Sequence, residues 1–521
     1  MDNNYRALIN RESKKLPILL KSIVVGLLAG MIVAAYRFSL IKAESFSLQV
    51  SDFVSSHVAF LPIALLLLGA AGYVTGMLIS KFPMISGSGI PQVKGVMMGY
   101  FHYNWFRTLI SKFFGGVVSM SAGLSLGREG PSIQLGACVA QGIGDKYAGS
   151  RTEKKILIAS GASAGLAAAF NAPLAGTMFT MEEIFKYFSP TILLSVMSAA
   201  VVSDWMTNLL FGMEPVFHFQ VTNNVPLSGY WLLLILGVVL GVCGAFYNFI
   251  LLKTQQLYKN AKWLRLKTRP MVPFLLAGII GCFFPLALGG GNIITGELQP
   301  NAAISFLFVI LIVKFIFSMI SFGSGAPGGI FFPLLIMGAT IGAIFGNIAV
   351  HYLGFDANLF FNFVVLAMAG FFTAIVRAPV TGVILLVEMS GSFTQMLSLT
   401  VVSIIAYIVA DLLKSKPIYD SLMESQLADK KNTLKSDCSN KKITIELVVQ
   451  YGAPAENKLL KALAIPKNCL LIAIKREGSE LIPKGDTRIL PGDYLVCLTD
   501  VNNEAKTRKM LKKLTAGGAE Q

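Results

Sequence analysis

The sequence predicts an all-α polytopic membrane protein with two inverted-topology repeats, followed by a small α+β domain. Composition, long apolar tracts and a repeated residue spacing support this fold class. Of the 521 residues, 54% are hydrophobic and only 14% are charged, whereas about 25% are charged in soluble domains. Several apolar tracts approach the roughly 20 residues that a helix needs to cross a bilayer. They include Leu16–Ala35, Leu61–Ile79, Trp231–Leu252 and Ala302–Ile320.

Basic residues indicate where the membrane domain begins. Residues 1–15 are polar and carry four basic side chains, so we expect a cytoplasmic N-terminus. We interpret Leu16–Ala35 as the first spanning helix. Ser39–Glu44 offers no convincing small-residue cleavage site, which argues against a removable signal peptide.

Charge and motif content exclude several function classes. The chain has 44 Lys and Arg residues against 28 Asp and Glu residues, a net charge of +16. These basic residues gather in particular loops, as membrane topology requires, so we expect no nucleic-acid partner. Neither a C-x-x-C nor an H-E-x-x-H pattern occurs. We therefore expect that the protein is not an enzyme and that it has no metal site and no cofactor. The six cysteines are interpreted as small buried hydrophobic residues.

Two segments repeat one pattern, in which a proline is followed three residues later by a glycine and nine residues later by a glutamate. A second shared spacing places a glycine five residues after Pro131 and again after Pro333. We therefore interpret residues 16–212 and 229–413, approximately, as a duplication. The first pattern consists of Pro173, Gly176 and Glu182 in one half and of Pro379, Gly382 and Glu388 in the other.

The distribution of Lys and Arg predicts that the two repeats are inverted. The first connection of the first half, Glu44–His57, has no basic residue and is expected outside. The first connection of the second half spans residues 253–269 and carries six basic residues, so it is expected inside. The chain leaves the membrane at Lys414 and Lys416, again inside. Inverted halves are a recurring transporter architecture, with sites at the midplane built from broken helices.

Glycine- and proline-rich breaks interrupt the apolar stretches at residues 86–91, 127–132 and 324–333. A single break would favour a kink or a packing point, but repeat-related breaks favour a site. Glu129 lies in the second break, where Pro131 is typical of a helix start. The free N–H groups of a helix start bind anions. An ionisable side chain at membrane depth is costly, so its presence indicates a functional site. The sequence therefore predicts an anion pathway with a protonatable carboxylate.

At these breaks the chain resembles the CLC family of chloride channels and chloride/proton antiporters. The matching motifs are GSGIP, GREGP and GGIFFP, and the resemblance covers roughly Leu16–Leu422. It implies the CLC fold with re-entrant helices, a homodimer with one pathway per subunit, and a bacterial plasma membrane location with both termini cytoplasmic. The motif residues are Gly87, Gly89, Ile90, Pro91, Gly127, Arg128, Gly130, Pro131, Gly328, Gly329 and Pro333.

The resemblance implies a chloride site made of two hydroxyls and two backbone amides. The hydroxyls belong to Ser88 and Tyr419, and the N–H groups belong to Ile330 and Phe331. A serine at the centre of GSGIP is similar to chloride-preferring members, whereas nitrate-preferring members carry proline there. Gln92 departs from the acid that many members have after GSGIP, but this position is not an expected ion ligand.

Two glutamates are implied to carry protons. Glu129 resembles the external gating glutamate, which competes with the anion when it is ionised. Glu183 falls where antiporters of the family carry an internal proton-transfer acid, and the second half has Met389 at the equivalent position. We therefore expect a chloride/proton antiporter. The alternatives are a passive voltage- or pH-gated chloride channel of the same fold and a ligand-sensing membrane protein. For Glu183 itself, the alternative is a solvated carboxylate at a cytoplasmic helix end near Lys186.

Four further charged residues are open to more than one interpretation. Arg128 is expected to hold nearby acids or carbonyls rather than to bind the anion. Glu182 and Glu388 are equivalent in the two halves, which favours hydrogen bonds to helix ends over proton transfer. Lys112 either adds positive potential to the pathway or extends its charge to the membrane surface.

Residues 441–521 are expected to form a small cytoplasmic α+β domain after a polar linker at 423–440. The run Gly485–Asp493 resembles the C-terminal lobe of RCK regulatory domains, the TrkA-C type, which implies dimerisation or binding of a small molecule such as a cyclic dinucleotide. No phosphate-binding glycine motif selects between these roles. The predicted strands are Ile443–Val449, Leu470–Lys475 and Tyr494–Leu498, and the predicted helices are Pro454–Leu463 and Asn502–Leu514.

Overall fold

A computed structural model describes residues 15–186, 188–213, 216–217, 219, 224–261, 263–433, 442–466, 468–476, 479–500 and 504–517. The predicted N-terminal segment before Lys15, Cys438 and linker residues 434–440 lie outside these ranges. Two compact units are present. One contains the described residues up to Met97 and Tyr103–Glu424, and the other contains Met98–His102 and the described residues from Ser425 onwards.

The first unit is helical throughout. Seven described helices are long and apolar enough to cross a membrane, and the shorter Met271–Phe283, Pro379–Ser390 and Met396–Leu412 are also apolar. The chain is therefore a multi-pass membrane protein, as predicted. The helices of its first half are α1 Lys15–Ser56, α2 Leu61–Lys81, α3 Ile90–Met97, α4 Trp105–Ser121, α5 Glu129–Tyr147, α6 Arg151–Phe170, α7 Pro173–Phe179 and α8 Pro190–Phe211.

The second half repeats this order. Its helices are α9 Tyr230–Asn260, α10 Met271–Phe283, α11 Ile294–Glu297, α12 Ile304–Gly323, α13 Phe331–Leu353, α14 Phe360–Val376, α15 Pro379–Ser390 and α16 Met396–Leu412, and the helix α17 Ile418–Thr433 follows. The predicted breaks therefore mark helix starts, because α3, α5 and α13 each begin within one of the three glycine-rich motifs. The predicted linker residues 423–433 are part of α17.

The predicted duplication is visible in matched local geometry. Asn171 before α7 and Arg377 before α15 both have left-handed backbones, with φ of 52° and 69°, and a proline opens the helix that follows each of them. Near the centre of the unit, Gly127 and Gly329 exchange two backbone hydrogen bonds of 2.7 Å. Because each residue is the repeat counterpart of the other, this pair lies where the two halves meet.

Close contact between backbones holds α5 against α6. A Cβ atom on Gly136 would lie 2.0 Å from the Gly161 carbonyl oxygen, and one on Gly165 would lie 2.2 Å from the Ser132 carbonyl oxygen. Small residues allow membrane helices to approach in this way. This contact fixes the start of α5, and with it Glu129, inside the unit.

The second unit contains a four-stranded antiparallel sheet in the order β1-β4-β2-β3, together with the helix α18. The three predicted strands and the predicted last helix are found within one or two residues of their expected bounds. Strand β3 was not predicted. The elements are β1 Lys442–Val448, β2 Cys469–Arg476, β3 Ser479–Leu481, β4 Tyr494–Asp500 and α18 Glu504–Thr515.

The predicted helix at Pro454–Leu463 is wrong, because only a short 3-10 turn forms at Leu460–Ala462. The backbone amides of Asn457 and Leu460 donate to Ile489 and Thr487, both at 2.9 Å. Asn457 also has a left-handed φ of 58°, which a helix interior does not tolerate. Pairing with residues 485–489 therefore replaces the helical hydrogen bonds.

Candidate functional site

The residues predicted to bind chloride lie at three helix starts. Ser88 lies two residues before α3, Ile330 immediately precedes α13, Phe331 is the first residue of α13, and Tyr419 is the second residue of α17. Glu129 is the first residue of α5. The first N–H groups of each helix have no partner within that helix, and helix starts carry partial positive charge. Such a group of helix starts favours an anion.

Short contacts bring these starts together. A Cβ atom on Gly130 would lie 2.2 Å from Ser88 Oγ, so the starts of α3 and α5 touch. The Gly127–Gly329 hydrogen bonds join the start of α5 to that of α13. The Tyr419 ring lies 6.3 Å from that of Phe179, which lies 6.1 Å from that of Phe331. All of the predicted anion-binding residues therefore surround one region.

The two hydroxyls in this region are buried and receive no protein partner. Among the described residues, neither Ser88 Oγ nor Tyr419 Oη has a hydrogen bond, although both side chains are almost completely buried. A buried polar group without a partner costs about 1–3 kcal/mol. Two such donors near helix starts fit a dehydrated anion, and they supply no full positive charge that would trap it.

Positive φ angles shape the loop that carries Ser88. Gly87 and Gly89 have φ of 65° and 100°, a region that favours glycine. Lys112 is fully buried, and its Nζ donates to the carbonyls of Ile85 at 2.9 Å and Gly87 at 2.5 Å. The alternative in which Lys112 extends to the membrane surface is therefore wrong. Its ammonium supports the loop, and Lys314 bonds the carbonyl of Gly289 in the second half in the same way, at 2.7 Å.

Glu129 borders a small cavity beside the helix starts. The side chain is fully buried, and Arg128, Glu44 and Asn292 also line the cavity. Glu44 accepts a hydrogen bond of 3.1 Å from Asn292. Arg128 was expected to hold nearby acids or carbonyls. Its Nε, however, is buried and has no hydrogen-bond partner among the described residues. Arg128 therefore adds charge to the cavity wall.

Glu183 lies in a π-helical turn, Thr180–Phe185, that follows α7. Such turns are rare and occur frequently at functional sites. Its side chain is 3% exposed, and Lys94 Nζ donates to its Oε1 at 2.8 Å. Lys94 also contacts Asp420, which pairs with Lys186 at 2.7 Å. Glu183 is therefore a buried member of an ion network of four charged groups, and it is not a solvated carboxylate.

Lys94 is a residue that the sequence interpretation missed. It is completely buried within α3. An ionisable residue so close to the GSGIP motif was a usable signal, because buried lysines in membrane domains are rare and need partners. Which acids would pair with it could not be predicted, because Glu183 is 89 residues away in the chain.

Glu182 and Glu388 do not take part in this network. Glu182 accepts hydrogen bonds from the amides of Val380 and Thr381, at 3.3 and 2.8 Å. Glu388 accepts hydrogen bonds from Leu174 and Ala175, at 3.0 and 2.7 Å. Each glutamate thus binds the helix start that belongs to the opposite repeat, which is the structural role that their symmetry predicts.

The fold and the arrangement of helix starts define a duplicated membrane transport protein. The voltage gated chloride channel family matches residues 71–411, and the TrkA-C domain family matches residues 444–512. The chain therefore belongs to the voltage gated chloride channel (CLC) family and carries a C-terminal TrkA-C domain. Both resemblances predicted from the sequence are confirmed.

Related proteins agree with this assignment. The H(+)/Cl(-) exchange transporter ClcA of Klebsiella pneumoniae (strain 342) is 33% identical over 435 residues, which cover 81% of this chain and 92% of the relative. A slow cyanobacterial Cl−/H+ antiporter has a similar structure, with a TM-score of 0.75 and 30% identity, over 80% of this chain and 99% of that one. A eukaryotic CLC transporter shares the fold, with a TM-score of 0.67 and 20% identity, over 79% of this chain and 74% of that one.

Proposed function

We propose that the protein exchanges chloride for protons across a bacterial plasma membrane, as a homodimer with both termini in the cytoplasm. The observation that carries the proposal is the pair of buried glutamates close to the anion region, Glu129 and Glu183. The start of α5, where Glu129 lies, touches Ser88, and Lys94 links Glu183 to Asp420, the residue after Tyr419. The names of the relatives, which are chloride/proton exchangers, support the same reaction.

In the proposed mechanism, chloride binds between Ser88, Tyr419 and the amides of Ile330 and Phe331. Ionised Glu129 competes with chloride for the helix-start charge, because both are anions. A proton on Glu129 removes that competition and lets the side chain leave. Since a nearby chloride favours protonation of the carboxyl group, anion binding and proton binding are linked at this residue.

Glu183 supplies the internal end of the proton route. It is buried, and it adjoins the helix that carries Tyr419 through Lys94 and Asp420. A carboxylate in a dry region can accept a proton from the cytoplasm and pass it towards Glu129. Chloride needs none of this chemistry. A passive channel would not require the acid, so the presence of Glu183 favours exchange.

Reversal potentials of reconstituted protein test the proposal. In Glu129→Gln and Glu183→Gln, chloride should still move while proton transport stops, and the reversal potential should settle at the chloride equilibrium value. Glu182→Gln is the matched control. It keeps an amide oxygen for the N–H groups of α15, so coupling should persist.

A wild-type protein whose reversal potential ignores the proton gradient would instead identify a channel. Proton transport that survives at wild-type level in Glu183→Gln would remove Glu183 from the route. Proton transport that survives at wild-type level in Glu129→Gln would show that Glu129 is not the gate.

A further inference from the structure

The partly buried ion network that includes Glu183 contains two acids and two lysines. Lys94 contributes from α3, Lys186 from the residue after the π-helical turn, and Asp420 from the first turn of α17. The buried Tyr419 hydroxyl is a further titratable group, on the residue before Asp420. The Glu182 carboxylate binds the start of α15 instead. With both acids ionised and both lysines protonated, the network is neutral.

Lys94 holds the central position in this network. Its side chain is 0% exposed, and it contacts both acids, whereas Lys186 and Asp420 remain 32% and 26% exposed. Removing a charge from water without a partner is expensive, so Lys94 requires at least one ionised acid beside it. A proton on Glu183 removes one of its two partners. Proton binding at Glu183 therefore competes directly with the Lys94 ion pair.

The network also connects the two hydroxyl-bearing helix starts. Lys94 lies one turn into α3, whose preceding loop carries Ser88, and Asp420 directly follows Tyr419 in α17. Lys94 thereby links the internal acid to the segments that hold the anion donors.

We propose that Lys94 is a positioning residue that keeps Glu183 ionised and oriented between proton transfers, and that it thereby sets the cytoplasmic pH at which protons are taken up. This inference rests on the proposed proton role of Glu183. An ammonium that only stabilised the fold would leave the pH dependence of coupling unchanged.

The test measures proton transport in oriented vesicles while the pH on the cytoplasmic face is varied. In Lys94→Met, the midpoint of the pH dependence should move upward by about one unit or more, because a neighbouring opposite charge changes proton affinity by this order. Lys94→Arg keeps the charge and should stay close to the wild-type midpoint. Asp420→Asn should move the midpoint downward, because it removes a negative charge and leaves Lys94 to Glu183 alone.

An unchanged midpoint in a Lys94→Met protein that still transports chloride would overturn the inference. If Lys94→Met does not fold, the partly exposed Asp420 provides the second variant, and an unchanged or raised midpoint in Asp420→Asn would overturn it. These failures are distinct from failure of the proposed function. Loss of proton transport in Glu183→Gln would uphold the proton role of Glu183 even if neither midpoint moved.

Discussion

At the scale of single residues, selectivity depends on which donors face the anion. Ser88 offers a buried hydroxyl that has no hydrogen-bond partner within the described part of the chain. A loop with two left-handed glycines and the Lys112 ammonium hold it in place. A hydroxyl donates a hydrogen bond in one direction and can approach a small spherical anion closely. The loop therefore positions the donor that we propose for chloride.

Ser88→Pro tests this assignment. Proline removes the hydroxyl and reshapes the local helix start, so a small spherical anion should lose more binding than a larger planar one. We expect the preference to move from chloride towards nitrate, and competition between the two anions in flux assays measures it. Ser88→Ala is the control that removes the hydroxyl alone. An unchanged selectivity ratio in Ser88→Pro would argue that Ser88 does not line the site.

The sequence predicted residues whose neighbours form a local motif and missed those whose partners are distant. Ser88 and Glu129 lie in contiguous glycine-rich motifs that mark helix starts, so their location could be predicted. Lys94 lies in an ordinary helical segment, and its importance depends on Glu183 and Asp420, which only the folded chain brings near it. Lys112 was identified, but the carbonyls that it binds could not be.

At the scale of helices, each repeat places a glutamate carboxylate at a helix start of the other repeat, and these contacts stabilise the two halves. Glu182 binds the start of α15 and Glu388 binds the start of α7, each through two backbone N–H groups. A carboxylate at a helix start satisfies free donors and interacts favourably with the helix dipole. These contacts are predictable from repeat symmetry because both glutamates follow the same proline at the same spacing.

Glu388→Ala should therefore lower the free energy of unfolding by about 1–2 kcal/mol, the usual cost of losing a helix cap. Thermal unfolding of purified protein in detergent measures the loss. Glu388→Gln keeps one acceptor oxygen, so a smaller loss is expected. Equal stability of Glu388→Ala and the wild type would show that these hydrogen bonds do not contribute to folding. A similar loss is expected for Glu182→Ala, whose carboxylate also accepts from the Thr381 hydroxyl at 2.7 Å.

The failed helix at Pro454–Leu463 shows the limit of prediction at this scale. Its residues are compatible with a helix, but their amides bind residues 485–489 in the folded domain. Long-range pairing of this kind leaves no periodic signal within the segment itself. Membrane helices were easier to predict, because a bilayer forces each apolar segment to satisfy its own backbone hydrogen bonds.

At the scale of the whole molecule, the groups proposed for transport belong to one unit and the TrkA-C domain to another. Ser88, Glu129, Glu183, Phe331 and Tyr419 all precede residue 425, where the second unit resumes. The tail has its own apolar core and a pair between Arg476 and Asp493 at 2.7 Å, with Asp493 1% exposed. The groups proposed for transport and the TrkA-C domain can therefore be altered separately.

Deletion of residues 441–521 should leave basal chloride/proton exchange intact, because no group proposed for the ion or proton route is removed.

The full chain should respond to a ligand only if that ligand binds its two transport states with different affinity. Exchange rate, oligomeric state and response to small molecules, including cyclic dinucleotides, are compared between the full chain and the deletion. Asp493→Ala, which removes the carboxylate that Arg476 contacts at 2.7 Å, is a second way to disturb the domain while keeping its length. If the purified full chain binds no nucleotide or metabolite in calorimetric screening, and if neither variant changes rate or dimerisation, the domain does not regulate transport. A deletion that abolishes exchange while the protein stays folded would show instead that the transport unit depends on its tail.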